Sequence, residues 1–170
     1  GCSFYGDYVH WWRNSDEGET WTEYTIASIN GPAFVKVADF DGDGDRDVVV
    51  AASEANQIVW YKNTNAGLTW TPYVLESSFD ARQLSVGDFD SDGDMDILGV
   101  SSETGDVVWW SNRVAQSLPW IKTYIDGSLL GAYACDTGDM DNDGDFDVVV
   151  TSTYDASITL YTNDIQYTGT

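Results

Sequence analysis

The chain has 170 residues, 42% of them hydrophobic and 14% aromatic, and carries a formal charge of −22. That length supports one core-bearing domain rather than two ordinary ones, and the aromatic content argues against a disordered chain in spite of the charge. Nucleic acid and anionic membrane surfaces are poor partners for so acidic a chain, because binding phosphate needs a basic footprint, and no apolar run approaches the roughly 18 residues of a membrane span.

The chain opens at Gly1 without a methionine and shows no signal peptide, so a processed chain, a cut fragment or the ordered part of a longer protein is expected. The two cysteines, Cys2 and Cys135, are too few for a disulfide framework. Cys135 takes the repeat position of Val35 and Leu84, which predicts a buried thiol, with a disulfide as the alternative.

In chain order, the first element is the segment Tyr8–Asn14, followed by Trp21 and a second extended segment, Tyr24–Ala27. A new period then begins. Val35–Ala38 leads through an Asp-rich loop to Val48–Ala52, then to Gln57–Asn63, Trp70 and Tyr73–Glu76. The same order recurs as Leu84–Gly87, a second Asp-rich loop, Ile97–Ser101, Asp106–Asn112, Trp120 and Tyr124–Asp126. It starts again as Cys135–Gly138, a third loop, Val148–Ser152 and Ser157–Asn163. The β-branched and aromatic content, with no helix-length apolar periodicity, predicts four short strands per period, here named a to d. The expected boundaries are a partial repeat at 1–27, repeats at 28–77 and 78–126, and a repeat lacking its last strand at 127–170.

Strand c alternates bulky residues onto both faces: Ile58 and Trp60 on one side, Val59 and Tyr61 on the other, with Val9, Trp11, His10 and Trp12 in the same places. Sheets stacked face to face satisfy this pattern, which predicts an all-β, propeller-type repeat of four-stranded blades, about three and a half of them. A two-sheet sandwich would leave one face polar and ranks second. The recurrence of Trp and Tyr at fixed repeat positions points to core packing, with sugar stacking as the rival. His10 falls where Val59, Val108 and Thr159 stand in the other repeats, so it reads as a packed strand residue rather than a catalyst.

Fifteen of the 29 acidic residues lie in the three a–b loops. The loops read Asp39, Asp41, Asp43, Asp45, Asp47; Asp88, Asp90, Asp92, Asp94, Asp96; and Asp139, Asp141, Asp143, Asp145, Asp147, at positions 1, 3, 5, 7 and 9 of each. Ca²⁺ takes six to eight oxygens. Carboxylates at 1, 3 and 5 can wrap it, a glycine at 6 (Gly44, Gly93, Gly144) permits the sharp turn, the position-7 carbonyl adds a ligand, and position 9 closes the shell. The pattern predicts three Ca²⁺ ions. An EF-hand fails because Val50, Gly99 and Val150 stand where its bidentate Glu belongs. Zinc lacks His and Cys ligands in the loops, and Mg²⁺ seldom uses an all-protein carboxylate cage.

At these residues the chain resembles the FG-GAP/VCBS repeat family, which includes the heads of integrin α-subunits. The stretch from Val37 to Asp45, Asp47-Val48-Val49-Val50, and Val59-Trp60-Tyr61-Lys62-Asn63 carry the likeness. The resemblance implies calcium-stabilised blades, an extracellular or cell-surface location, and a non-catalytic role in adhesion or binding of a protein or glycan. It departs from a seven-bladed head in having about half the blades. Two other roles stay open: a structural subunit of a head-to-tail ring or filament, copies joining through incomplete terminal blades, and part of a calcium-dependent polysaccharide-active enzyme.

Overall fold

The computed structural model describes residues 1–114 and 120–163. They form 14 strands in four antiparallel sheets. The first sheet holds β1 (Cys2–Ser3), β2 (Tyr8–Ser15) and β3 (Thr20–Ser28) in that order. The second is β4 (Pro32–Ala38), β5 (Asp47–Ala52), β6 (Gln57–Asn63) and β7 (Trp70–Glu76). The third is β8 (Ala81–Gly87), β9 (Asp96–Ser101), β10 (Asp106–Ser111) and β11 (Ile121–Gly127). The fourth is β12 (Ala132–Gly138), β13 (Asp147–Ser152) and β14 (Ser157–Tyr161). Each sheet is a meander in sequence order, the a–b–c–d order of a propeller blade, with the first and fourth sheets partial blades. Residues 164–170 of the last expected repeat lie outside the described residues.

The chain divides into two compact units, Gly1–Asp39 with Asp43–Ala81, and Phe40–Gly42 with Arg82–Thr170. In the first unit, Val9 packs with Val48, Val50, Val59 and Tyr61, and Trp70 leans on the cluster. In the second, Leu98, Val100 and Val107 pack with Cys135, Val148 and Val150. Cys135 is therefore a core thiol, and neither it nor Cys2 forms a disulfide. The b strands explain the runs of apolar residues without alternation. All six residues of β5 and of β9 are buried, since neighbours cover both faces and both edges.

The outer strands are longer than their sequence pattern implied. Strand d of the first sheet runs Thr20–Ser28 rather than Tyr24–Ala27, and its first four residues are exposed. An outer strand wetted on both faces carries no alternation to read. Strand a likewise starts at Pro32 rather than Val35.

Four b–c turns close in one way. The residue before each c strand, Asp7, Asn56, Gly105 and Ala156, sits at positive φ (58°, 53°, 76° and 48°). At Gly105 a β-carbon would come within 2.8 Å of the Leu130 backbone nitrogen, so that position needs glycine for space as well as for its dihedral.

One register differs from the ungapped alignment of Tyr24, Tyr73 and Tyr124. Tyr24 lies opposite Trp11 and Tyr73 opposite Trp60, each pair stacked at 4.8 Å. Opposite Trp109 stands Thr123, and Tyr124 lies opposite Val108. A one-residue slip moves a side chain to the other face, so Tyr124 joins Trp110 under the Lys122 ammonium, which lies 5.0 Å from the Tyr124 ring and 5.8 Å from that of Trp110. The expectation that recurring aromatics are core holds for Trp60, Tyr61 and Trp110 and fails for Tyr73, Tyr124 and Trp21, which are about half exposed or more.

The fully buried Leu98 sets the scale of this packing. Leu98→Ala lowers the unfolding free energy by about 2–5 kcal/mol, whereas Leu68→Ala, at an exposed site, stays within about 0.5 kcal/mol; urea denaturation compares them. A polar tie joins the third and fourth sheets, where the Tyr161 hydroxyl donates to Asp126 Oδ2 at 2.7 Å. That bond, and others from Ser128, hold the Asp126 carboxyl below its ordinary range. A depressed folded pKa means the contribution is present above the unfolded value and is lost as pH falls through the folded one. Carboxyl NMR titration shows Asp126 titrating below an unperturbed Asp, and Tyr161→Phe moves it back upward.

Candidate metal centres

Each a–b connection turns back within nine residues, and its geometry follows from two backbone requirements. Position 6 glycines (Gly44, Gly93, Gly144) have φ of 91°, 93° and 101°. Position 4, occupied by Gly42, Ser91 and Asn142, is also left-handed, at 73°, 54° and 64°. These are residue types that tolerate positive φ best or pass through it in turns. The turn is then fixed by its own carboxylates. The position-1 side chain accepts a hydrogen bond from the position-6 N–H: Gly44 to Asp39, Gly93 to Asp88 and Gly144 to Asp139, at 3.0, 3.0 and 3.2 Å. The position-5 side chain accepts from the position-7 N–H: Asp45 to Asp43, Asp94 to Asp92 and Asp145 to Asp143, at 2.9, 3.0 and 3.0 Å.

Carboxylate oxygens converge in all three loops. Asp39, Asp41 and Asp43 each place an oxygen within 4.8 Å of the others, as do Asp88, Asp90 and Asp96, and Asp139, Asp141 and Asp147. The first triad therefore uses positions 1, 3 and 5, and the other two use 1, 3 and 9. Of the remaining sequence-selected residues, Asp45 is exposed and Asp94 and Asp145 are half-exposed, while Asp92 and Asp143 hold the turn as described. Asp47 is buried and accepts the Asn63 N–H at 2.8 Å.

Position 9 ties the loop to its sheet. Asp47, Asp96 and Asp147 have no exposed surface. Asp96 accepts the Phe89 N–H on Oδ2 at 3.0 Å and the Asn112 N–H on Oδ1 at 2.7 Å. Asp147 does the same with Met140 and Asn163, at 2.8 and 2.9 Å. Burial pushes the Asp96 carboxyl up to about 7 against those two N–H donors. Burial also raises Asp90, with repulsion from Asp92 and Asp88 adding to it and the Ser111 hydroxyl opposing it. Close carboxylates that raise one another's pKa favour a cation among them. A hard cation with oxygen ligands fits this donor set, in which the triads contain neither nitrogen nor sulfur.

Sequence reading placed Asn63, Asn112 and Asn163 at the end of strand c and gave them no role. Besides its N–H bond to position 9, the Asn112 side chain donates to the Phe40 carbonyl at 2.6 Å and the Met95 carbonyl at 3.0 Å. Asn163 donates to the Phe89 carbonyl at 2.9 Å, and Asn63 to that of Arg46 at 3.2 Å. The signal was available: each Asn stands 16 residues after the position-9 Asp.

Blade-like meanders with an acidic hairpin loop between strands a and b define a class, the propeller-type repeat proteins, here with carboxylate triads that could hold a cation. The FG-GAP-like repeat model matches residues 2–50, 39–99 and 88–150, and the chain belongs to that family. Each later match starts at position 1 of one loop and runs past the next. The chain matches no curated protein.

Asn112→Ala removes two donors from nearby carbonyls and lowers stability by roughly 1–3 kcal/mol. Asn112→Asp costs more than the alanine, since it sets a charge against the same two carbonyl oxygens. Thermal melts of both variants check the order.

Proposed function

We propose that the chain is a non-catalytic, extracellular calcium-binding β-propeller module for adhesion or binding, with one Ca²⁺ in each a–b loop. The observation that carries this is the threefold repetition of one carboxylate cluster at one place in the blade. Three independent acidic turns would not share left-handed residues at positions 4 and 6 and a buried Asp at position 9. Position-1, 3 and 5 or 9 carboxylates hold the ion and the position-7 carbonyl adds an oxygen. The ion supplies positive charge that offsets carboxylate repulsion; the loop's own hydrogen bonds supply its shape. Membership of the family supports the extracellular placement and the binding role. His10 supports the non-catalytic reading: it lies in a row of rings between Tyr8 and Trp12, with Thr25 and Glu23 at its Nδ1.

Calorimetric titration of the metal-free chain gives three Ca²⁺ per chain, and a melting temperature that rises with calcium. At about 100 times Kd each site adds roughly 2.7 kcal/mol. Asp90→Ala reduces the count to two, and Asp94→Ala leaves it at three. Absence of binding at millimolar calcium, the weak end for extracellular sites, refutes the reading.

A further inference from the structure

The three acidic loops are alike in their turns and differ in what strand c sets beside them. The residue before the closing Asn is Lys62 in the second sheet, Ser111 in the third and Thr162 in the fourth. Two of these reach the loop of their own sheet. The Ser111 hydroxyl donates to Asp90 Oδ2 at 2.9 Å, and Asp90 belongs to the second triad. The Lys62 ammonium lies 3.2 Å from Asp43 Oδ2, and Asp43 belongs to the first. One strand position therefore touches a triad carboxylate twice, as a neutral hydroxyl in one sheet and as a full positive charge in the other.

The fold holds that charge in place. Lys62 stands between Tyr61 and Asn63, both buried, and pairs with Thr71 of strand d. Its side chain and that of Asp43 are 28% and 37% exposed, so water screens the pair only in part. The other oxygen of Asp43 is taken up by the turn, where Oδ1 accepts the Asp45 N–H at 2.9 Å. Both oxygens of Asp43 are thus engaged, one of them by a cation that belongs to the chain. Position 8 of the same loop adds Arg46, where the other loops have Met95 and Phe146.

We infer that Lys62 is a built-in counter-ion that makes the first loop the weakest calcium site of the three, the last to fill as calcium rises. The inference rests on the calcium reading above and adds to it an order of filling. Like charges a few ångströms apart repel, and a divalent ion doubles the effect. The ammonium also neutralises part of the carboxylate cluster, so the first loop has less repulsion for an ion to relieve. Because the pair is partly exposed, the loss of affinity is that of a screened interaction, about three- to tenfold.

A calcium titration of the full isotope-labelled chain, followed by NMR at the amides of Gly44, Gly93 and Gly144, reads the loops one at a time. The Gly44 signal is expected to reach its midpoint at about three- to tenfold higher calcium than the other two. Lys62→Met keeps the apolar stem and removes the charge; it moves the Gly44 midpoint to lower calcium by that factor and leaves Gly93 and Gly144 in place. Lys62→Arg, which keeps the charge, leaves Gly44 near its wild-type midpoint, and the effect of Lys62→Met shrinks at high salt. A wild-type Gly44 midpoint at or below the other two overturns the inference, as does a midpoint that Lys62→Met does not move, or a shift that Lys62→Arg reproduces. In each of those cases calcium shifts at Gly93 and Gly144 leave the calcium reading standing, whereas no shift at any of the three glycines at millimolar calcium refutes both.

Discussion

The rest of the structure depends on a carboxylate that water does not reach. Asp96 and Asp147 each spend one oxygen on the loop, through the N–H of position 2, and the other on strand c, through the N–H of its closing Asn. A buried carboxylate is costly unless hydrogen-bonded, so this residue forces loop and strand into one arrangement. Fixing position 2 fixes what it presents beyond the loop, as at Phe89, whose ring is buried and whose carbonyl accepts the Asn163 side chain. The acidic loop therefore serves two structural ends at once. It turns a into b, and at Phe89 it builds one side of the contact between the third and fourth sheets.

Much of this was legible in the residues. The loop positions, the four-strand period and the two-sided strand c are all read from alternation and spacing, because burial on both faces leaves a strong pattern. What was not legible has a physical reason in each case. Strand d runs longer than predicted where the residues are wet on both faces and nothing selects for alternation, as at Thr20–Glu23; the added residues of strand a, Pro32, Ala33 and Phe34, are buried or half-buried without alternating. The slip of β11 was hidden because an alignment without gaps equates Tyr124 with Tyr73, whereas cross-strand pairing equates Thr123 with it.

The candidate site was legible in position and coarser in detail. Five aspartates per loop look equivalent in a string of letters, but the fold gives them different work. Asp92 and Asp143 hold the turn, Asp88 and Asp139 hold the turn and join a triad, and Asp96 and Asp147 are buried staples that also join one. The first loop gathers Asp43 where the others gather position 9, and Lys62 lies 3.2 Å from that Asp43. A cation already leaning on one loop makes the three centres unequal neighbours for any ion they take.

The left-handed residues at positions 4 and 6 carry a last consequence. Together with the Gly44, Gly93 and Gly144 bonds to position 1, they leave each loop already bent around its carboxylates by the chain's own hydrogen bonds. A loop that is shaped beforehand has little conformational distance to travel when an ion arrives. On the calcium reading proposed above, an arriving ion would meet a turn already formed, so it would change the loop's charge more than its outline. Such a loop would act as a fixed fitting, holding strands a and b to one another, rather than as a part that moves.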